Sequence, residues 1–338
     1  MKTVLVTGSE GNIGKYLVAA LRLQDPSCEV IRVKNGAGQP RFDPDRGYYV
    51  GDLREPQVLD LIFRDHAVDH VIHAASTSYS HAGYKAHPFA VLHNDCAITL
   101  NVLEHSAGVR KFVFLSSALA YEHAQDTVLT EDMTSRLPAP TSSYGVAKYL
   151  GEQAVVQAHL ERGTNYTIWR PFNVVSPLEP TEGEGRHVFV DFFRRIFVER
   201  VKEFNVFGSG RQVRCFIWVE EAAECIAAAL EKPETDNQII NLARDEPLSL
   251  IQLKDLFLSI GKEMGHLPLD YDPPVLLSGS FAGVEMDVRI PSTHRLKELA
   301  RWESSTTVDD CFRRFAAIKL QSSSAALDGT RGLSVPES

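Results

Sequence analysis

The sequence predicts an α/β protein built on a doubly wound parallel sheet, and three features indicate this fold class. Apolar segments of the kind that form buried parallel strands recur along the first half of the chain, at residues 3–6, 29–33, 70–73, 112–115 and 166–170. Segments that predict helices separate them, including residues 14–23, 98–106 and 142–161. A glycine-rich turn follows the first predicted strand. Strands that alternate with helices in this way form βαβ units.

The second half of the chain predicts a smaller domain. Three prolines follow Arg170, and the glycine-rich residues 182–185 then predict a loop that leaves the first domain. We predict a first domain of residues 1–170, rejoined by about residues 214–240. A discontinuous C-terminal α+β domain would occupy residues 171–320.

Two further segments complete this plan. Residues 220–231 predict one amphipathic helix that returns to the first domain. The small polar residues of segment 321–338 predict a disordered tail, because they offer few apolar anchors.

Composition and charge argue against several functional classes. The 338 residues are 44% hydrophobic and 23% charged, which is typical of a globular enzyme. A net charge of −9 argues against nucleic-acid binding, because nucleic-acid binders carry a basic face. The sequence contains no run of about 18 apolar residues that would predict a membrane span. The first strand begins too early to leave room for a signal peptide.

The cysteines predict reduced thiols and a cytoplasmic location. They are odd in number and scattered, with no C-x-x-C spacing, so they predict neither a metal site nor a redox pair. The five are Cys28, Cys96, Cys215, Cys225 and Cys311.

The glycine-rich turn predicts a site for a dinucleotide. Gly8, Gly11 and Gly14 lie between a strand and a helix. Glycine permits a tight turn and a close approach of a pyrophosphate, while the helix N-terminus offers N–H donors to the anion. A purely structural turn is the alternative that the glycines alone leave open.

The end of the second strand bears on the choice of cofactor. An acidic residue there binds the ribose hydroxyls of NAD, whereas a cation accommodates the 2′-phosphate of NADP. Lys34, followed by Asn35, holds this position, which favours NADP but leaves NAD or NADP open. A solvated lysine with no ligand is equally compatible. After the third strand, Asp52 could accept a hydrogen bond from the adenine amine or cap a helix.

Tyr144 and Lys148 predict the reactive centre. Because they are four residues apart on a predicted helix, they share one face. An adjacent ammonium favours the phenolate form of tyrosine, whose ordinary pKa is about 10, so Tyr144 could take a proton from a hydroxyl as hydride leaves the same carbon. Ser117, just after a strand, could bond the reacting oxygen. The alternatives are an exposed helix pair and a serine that caps a turn.

Together these motifs resemble the extended short-chain dehydrogenase/reductase family, in the NAD-dependent epimerase/dehydratase group typified by UDP-glucose 4-epimerase. The resemblance spans nearly all of residues 1–305. Its marks are residues 7–14, 51–53, 73–75, 116–121, 144–148, 170–174 and 206–219. The resemblance implies a Rossmann-like doubly wound sheet, a smaller C-terminal domain that binds substrate, and NAD or NADP as cofactor.

The resemblance also implies roles for individual residues. Ser117, Tyr144 and Lys148 would form the catalytic triad. The implied cofactor contacts are Gly8, Gly11, Asn12, Ile13, Gly14, Lys34, Asn35, Asp52, Leu53, Ala74, Ala75, Ser76, Asn94, Tyr144, Lys148 and Phe172.

The implied substrate is a nucleotide-diphosphate sugar, with a UDP-sugar expected. Ser117, Asn173, Phe207 and Arg214 would hold it. On the residues alone, Phe207 fits a core aromatic and Arg214 a surface ion pair. The resemblance further implies a homodimer formed through the helices near 98–106 and 142–161.

Residues 118 and 119 bear on the reaction. Related dehydratases carry an Asp-Glu pair after the serine, whereas this chain has Ala118 and Leu119. Elimination and decarboxylation therefore rank below epimerisation, which we predict at C4 of the sugar by transient oxidation. A 4-keto-sugar-nucleotide reductase would use the same three catalytic residues. A non-catalytic NADP-binding sensor is a further alternative.

Four other residues depart from the family pattern or leave alternatives open. Glu122, where a glycine is common, predicts a solvated loop residue or a second acid. Cys215, where an Asp is frequent, predicts a small packing residue rather than a nucleophile. His187 predicts a surface side chain or a nucleotide contact, and Asp95 replaces a frequent Asn.

Overall fold

The computed structural model describes residues 1–77, 86–181, 187–279 and 288–327. Its strands are β1 (Thr3–Thr7), β2 (Glu29–Lys34), β3 (Arg41–Asp43), β4 (Tyr48–Val50), β5 (His70–His73), β6 (Lys111–Leu115), β7 (Val128–Leu129), β8 (Asn165–Pro171), β9 (Val174–Val175), β10 (Phe204–Phe207), β11 (Val213–Cys215), β12 (Ile217–Trp218), β13 (Gln238–Leu242), β14 (Pro247–Ser249), β15 (Val275–Ser278) and β16 (Val288–Pro291). Its helices are α1 (Gly14–Gln24), α2 (Gln57–Asp65), α3 (Pro88–His105), α4 (Ser143–Arg162), α5 (Val188–Phe193), α6 (Val219–Ala229), α7 (Leu250–Glu263), α8 (His294–Glu298) and α9 (Val308–Leu327).

Eight strands of the described chain form one large sheet, in the order β13-β8-β6-β5-β1-β2-β4-β3. The strands pair in parallel except β3, which runs antiparallel to β4 at one edge. The chain first builds outward from β1 through β2 and then continues on the other side through β5. This is the doubly wound arrangement that the sequence predicts. Ligands bind such sheets at the carboxyl ends of the strands beside the reversal.

The apolar strand sequences are explained by burial on both faces of this sheet. Every residue of β1 and of β6 is buried. One core joins β1 to α1 and α6, and a second core lies against α2, α3 and α4 on the opposite face. A sheet covered on both faces requires uninterrupted apolar strands, which is the pattern that made these segments recognisable.

A third core, rich in phenylalanine, holds the remaining elements together. It packs α5, α7 and α9 around the side chains of Phe189, Phe193, Phe257, Phe312 and Phe315. Aromatic pairs within it meet edge to face, including Phe189 with Phe315 at 5.3 Å between ring centroids. This core lies in the part of the chain for which the sequence predicts a second domain.

Smaller sheets connect the two regions. β11 pairs with β14 and β16, and β16 pairs with β7, which lies between Ser117 and Tyr144 in the sequence. β10 pairs with β15, and β12 pairs with β9. The chain returns to the large sheet through α6, which packs on α1, and through β13, which pairs with β8. The exact domain bounds remain a prediction.

Two predicted bounds need correction. The helix predicted at residues 98–106 is longer and begins at Pro88. A proline is favoured at the first position of a helix, where its missing N–H has no partner to lose. Residues 321–327, the first part of the segment predicted to be a disordered tail, extend α9 beyond the residues that pack in the phenylalanine core. Helix-favouring residues such as Ala325 and Ala326 continue it. Residues 328–338 lie outside the described residues. No helix within the described chain is long and apolar enough to cross a membrane.

Candidate active site

The glycine turn after β1 has a backbone that only glycine can supply. Gly8 has a φ of 68°, and a Cβ there would lie 2.7 Å from the backbone nitrogen of Ala75. A Cβ on Gly14 would lie 1.9 Å from the Gly8 carbonyl oxygen. The turn therefore packs directly on the backbone of residues 74–75 after β5. This contact brings together two segments that the sequence assigned to one cofactor site.

The N-terminus of α1 is suited to an anion. Within the described chain no side chain caps it, and its first turn has no acidic residue. Asn12 is exposed and Ile13 is partly exposed, so the turn faces outward. Unpaired helix N–H groups and the positive end of the helix dipole favour a pyrophosphate at this point. The turn therefore fits the dinucleotide that the sequence predicts.

A buried histidine, His73, connects the strand before this turn to α3. Thr7 Oγ1 accepts a hydrogen bond from the Ala75 N–H and lies 2.7 Å from Nδ1 of His73. The other ring nitrogen of His73 lies 3.1 Å from Oγ1 of Thr99 on α3. Burial, together with the charge of Lys148, lowers the pKa of His73 to about 3, so the imidazole is neutral. The sequence marked His73 only as part of a motif, not as this link.

Asp95 holds the loop that follows β5. Its buried carboxylate accepts hydrogen bonds from the Ser76 hydroxyl and the Thr77 N–H, both at 2.6 Å. Ser76, predicted to bind cofactor, is therefore engaged by a residue on α3. The charge of Asp95 also opposes the lowering of the Lys148 pKa that burial causes. Its replacement of a frequent Asn was the only sequence signal for this role.

The predicted adenosine contacts fall into two groups. Lys34 is exposed at the end of β2, with its Nζ 5.7 Å from the ring centroid of Tyr48, and Asn35 beside it is also exposed. Asp52 instead pairs with Arg54, whose hydrogen bonds lower the pKa of the carboxyl group. Arg54 also donates to Oδ1 of Asn94 at 3.2 Å. Arg54, which the sequence did not single out, thus joins two predicted contact residues.

Two other predicted contacts are largely enclosed by protein. Leu53 is buried, and its carbonyl accepts a hydrogen bond from Asn101. Phe172 is fully buried against Tyr121, with ring centroids 5.9 Å apart.

The predicted catalytic residues lie just after β6 and in the first two turns of α4. Ser117 follows β6, is partly exposed, and accepts a hydrogen bond from the Leu119 N–H at the start of the 3-10 helix Ala118–Tyr121. Lys148 is buried and donates to the Leu115 carbonyl at 3.0 Å. Its Nζ lies 5.6 Å from the ring centroid of Tyr144. The strand end therefore fixes the ammonium beside the phenol.

Glu122 has neither of the roles predicted from the sequence. It is 5% exposed, so it is not a solvated loop residue. Its carboxylate accepts hydrogen bonds from the backbone and hydroxyl groups of Thr141 and Ser142, just before α4. These bonds lower the pKa of Glu122 against the opposing effect of burial, so it is also unsuited to act as a protonated acid.

A buried ion pair fixes the base of the site. Arg170 and Glu152 are almost fully enclosed and lie 2.7 Å apart. Glu152 also accepts from the Ser116 hydroxyl, and Arg170 donates to the Tyr121 hydroxyl. Tyr121 in turn donates to Asn241 on β13. The network ties β6, β8 and α4 to the sheet edge.

Three residues predicted to bind substrate occupy the region beyond β8. Asn173 has a φ of 41° and donates its side-chain amide to the Cys215 carbonyl at 2.8 Å. Arg214 is only 7% exposed, so the surface ion pair favoured by the residue alone is wrong. Phe207 is 54% exposed, so the core aromatic is also wrong. Arg214 is therefore an enclosed cation, whereas the ring of Phe207 is open to solvent.

A second arginine, which the sequence did not single out, lies beside Arg214. Arg289 on β16 is its register partner on β11. Two neighbouring guanidinium groups suit a diphosphate. The spacing between them in the sequence is too long for any local motif to reveal this pairing.

The remaining alternatives are resolved in part. Cys215 is fully buried, and burial raises the pKa of its thiol to about 12, which agrees with a packing residue. His187 Nδ1 lies 2.7 Å from a carboxylate oxygen of Glu179. The adjoining residues 182–186 lie outside the described residues.

Comparison with known proteins now identifies the family. The sequence model of the NAD dependent epimerase/dehydratase family matches residues 4–243. The chain belongs to this family. The UDP-glucose 4-epimerase of Lactobacillus helveticus is 24% identical over 322 residues, which cover 91% of this chain and 94% of that protein. The enzyme of the same name from Haemophilus influenzae is 28% identical over 282 residues, covering 75% and 81%.

A solved structure shows the same likeness. The UDP-glucose 4-epimerase of Thermotoga maritima, solved with UDP-glucose, superposes with a TM-score of 0.79 at 27% identity. The match covers 95% of this chain and 99% of that one. The protein is therefore an enzyme of the NAD dependent epimerase/dehydratase family that uses NAD or NADP. The predictions of family, fold class and cofactor class are confirmed.

Proposed function

We propose that this enzyme inverts C4 of a UDP-sugar by transient oxidation to a 4-ketone. The observation that carries the proposal is the pairing of Tyr144 with Lys148, whose ammonium is bound to the end of β6 two residues before Ser117, without an acidic residue at position 118 or 119. An epimerase needs no further acid, because the same hydride returns to the opposite face of the ketone.

The cofactor site is proposed at the glycine turn. The turn residues, the exposed end of β2 and the loop after β5 would hold it. The close packing of Gly8 on residues 74–75, which brings the turn and that loop together, and the uncapped start of α1 support this site. When bound, NAD or NADP supplies the hydride acceptor. Lys148 would bond the nicotinamide ribose, and the other predicted contacts would line the same crevice.

The chain's own residues account for the proton chemistry. Tyr144, as phenolate, takes the proton of the C4 hydroxyl. Lys148 stabilises that phenolate electrostatically, since its ammonium lies beside the ring in a dry environment. Ser117 donates a hydrogen bond to the reacting oxygen. On return of the hydride, Tyr144 gives the proton back.

The hydrogen bonds of Glu122, which follows the Ala118–Tyr121 helix, favour epimerisation over elimination as the proposed reaction. A dehydratase needs a free acid and base beyond the tyrosine. Glu122 is the next acidic residue after Ser117, and its oxygens are occupied by donors from Thr141 and Ser142. It is therefore a poor candidate for removing water from a sugar.

The substrate is proposed to lie along β10, β11 and β16. Arg214 and Arg289 would hold the diphosphate, and the exposed ring of Phe207 would lie beside the base. Asn173 would fix the backbone at the sugar end. A UDP-sugar is proposed because the Thermotoga maritima relative was solved with UDP-glucose.

The test is a panel of UDP-, dTDP- and GDP-sugars incubated with the purified protein and a catalytic amount of cofactor. The expected result is an equilibrium mixture of C4 epimers of a UDP-sugar, with no net change in cofactor absorbance. Absence of any epimer across the panel would refute the proposal.

A reductase of 4-keto sugar nucleotides is the second candidate, because Lys34 at the end of β2 suits the 2′-phosphate of NADP. Such an enzyme would consume NADPH in proportion to product. The identity of nucleotide that copurifies separates the two, since bound NAD⁺ supports the epimerase and bound NADPH the reductase.

We also propose a homodimer and a cytoplasmic location. α3 and α4 pack against each other and leave apolar side chains on their outer surface, including Phe89, Leu100 and Leu150. Such side chains suit a symmetric helix interface. All five cysteines lie in the described part of the chain and are unpaired, which supports a reducing compartment.

A further inference from the structure

Glu122 links the two segments that carry the catalytic hydroxyl groups. It closes the 3-10 helix Ala118–Tyr121, whose first residue follows Ser117, and its own N–H donates to the Leu119 carbonyl. One short helical turn therefore fixes the carboxylate relative to Ser117.

The other end of the link is the start of α4. The Glu122 carboxylate accepts from the Thr141 hydroxyl at 2.8 Å and from the Ser142 hydroxyl at 2.7 Å. It also accepts from the backbone N–H groups of both residues at 3.1 to 3.2 Å. Ser142 is the N-cap of α4, and its Oγ accepts from the Gly145 N–H. Tyr144 lies within the turn that this cap begins.

The close approach of the carboxylate explains a glycine in the catalytic motif. A Cβ on Gly145 would lie 3.0 Å from Oε2 of Glu122, 2.7 Å from Oγ of Ser142 and 2.9 Å from Cβ of Pro140. The helix start, the loop and the carboxylate thus leave no room for a side chain. The arrangement is a packed clamp rather than a chance surface contact.

We propose that Glu122 is a positioning residue that fixes the distance and orientation between the Ser117 hydroxyl and the Tyr144 phenol. The inference rests on the proposed function only in what it says about turnover. Both hydroxyl groups must reach one oxygen of the substrate. A displacement of about 1 Å between catalytic groups can reduce a rate by about a hundredfold.

The chain offers a matched control for a carboxylate of this kind. Glu221 on α6 accepts from Ser304, Ser305 and Thr306, the loop before α9. It is likewise buried, at 7% exposed, and its hydrogen bonds lower its pKa. Because it clamps a loop outside the catalytic triad, its loss reports on stability alone.

The first experiment compares Glu122→Gln with Glu221→Gln in the cofactor-loaded enzyme. Both variants should melt at lower temperature, because an amide places donors against donors. Only Glu122→Gln should lower kcat, by about ten- to a hundredfold, with KM and cofactor affinity within about twofold of the wild type. Equal kcat values for the two variants would overturn the proposal.

The second experiment needs no substrate, so it separates this proposal from the proposed function. Glu122→Asp keeps the charge but is one methylene too short to reach both Thr141 and Ser142. In the NAD-loaded protein, ultraviolet difference titration against a Tyr144→Phe background reports the pKa of the Tyr144 phenol. The pKa should be higher in Glu122→Asp, because a loosened first turn moves the phenol away from Lys148. An unchanged value would refute the positioning role even if no sugar nucleotide is turned over.

Discussion

His73 makes the folded protein sensitive to acid through a single buried ring. The imidazole is neutral where it joins Thr7 to Thr99, because burial and Lys148 lower its pKa from 6.5 to about 3. Between these two values the unfolded chain binds a proton that the folded chain does not. The contribution of His73 is therefore complete above about pH 6.5 and is lost as the pH falls.

Replacing His73 with Gln should flatten this dependence. Urea unfolding of the wild type should lose up to about 1.4 kcal/mol of unfolding free energy per pH unit from this group below about pH 6.5. His73→Gln should be less stable at neutral pH, since its hydrogen bonds are poorer, but its stability should fall less steeply. Parallel pH profiles for the two proteins would mean that His73 binds protons equally in the folded and unfolded chains, which would contradict the lowered pKa.

Tyr144 is the proposed proton acceptor. Tyr144→Phe should reduce turnover by at least about a hundredfold, because a proton acceptor is lost, and should leave cofactor affinity within about threefold. Turnover and fluorescence titration of the cofactor measure the two effects. Tyr149→Phe is the control, since it removes a phenol from the same helix outside the Lys148 pair. Normal turnover by Tyr144→Phe would contradict the assignment of Tyr144 as the proton acceptor.

The glycine turn acts as a structural element through backbone contact. Gly14 allows α1 to begin against the Gly8 carbonyl, and Gly8 lies against the backbone after β5. The uncapped end of α1 and the loop held by Asp95 thus form one rigid surface. A side chain added at Gly8 or Gly14 would therefore displace the start of α1 and the loop after β5, not only one neighbouring atom.

Substituting Gly14 should therefore weaken cofactor binding. The methyl group of Gly14→Ala would displace α1 from the turn, so affinity for NAD and NADP should fall by at least about tenfold. Isothermal titration calorimetry measures the loss. Gly108→Ala is the control, because Gly108 has a φ of 93° but open space around its Cβ position. It should lower stability by about 1 kcal/mol and leave affinity intact. Unchanged affinity in Gly14→Ala would mean that the pyrophosphate does not lie on this turn.

The outer surface of α3 and α4 is the apolar surface through which we propose that the protein dimerises. Phe89 and Leu100 are 77% and 55% exposed and share one face of α3, because they are eleven residues apart. Leu150 on the adjacent α4 is 43% exposed. A second copy could bury all three.

A charge in this surface should separate the dimer. Leu100→Glu should elute as a monomer in size-exclusion chromatography with light scattering, because an unpaired carboxylate would be buried in the interface. Leu23→Glu on α1 is the control, since Leu23 is 71% exposed on another helix. A wild type that is monomeric at working concentration, or a dimer that survives Leu100→Glu, would contradict the proposed interface.

The sequence predicted most of the large sheet because its signals are local. Apolar strands buried on both faces and glycines beside a helix start leave a pattern within a few residues. The partners of Glu122, Asp95 and Arg214 could not be predicted in this way. Each is set by register or packing between segments far apart in the chain, and a carboxylate or guanidinium looks the same in sequence whether it faces water or a buried donor.

The pairing of β7 with β16 limits how members of this family can be recombined. Residues between Ser117 and Tyr144 contribute β7, whose Leu129 carbonyl accepts hydrogen bonds from Asn241 and from the Ser292 backbone. A chimaera that joins the N-terminal half of this chain to the C-terminal half of a relative would pair β7 of one protein with β16 of the other. Exchanging substrate preference by domain grafting therefore requires residues 128–129 to travel with the donor's C-terminal half, although they lie in the first part of the sequence.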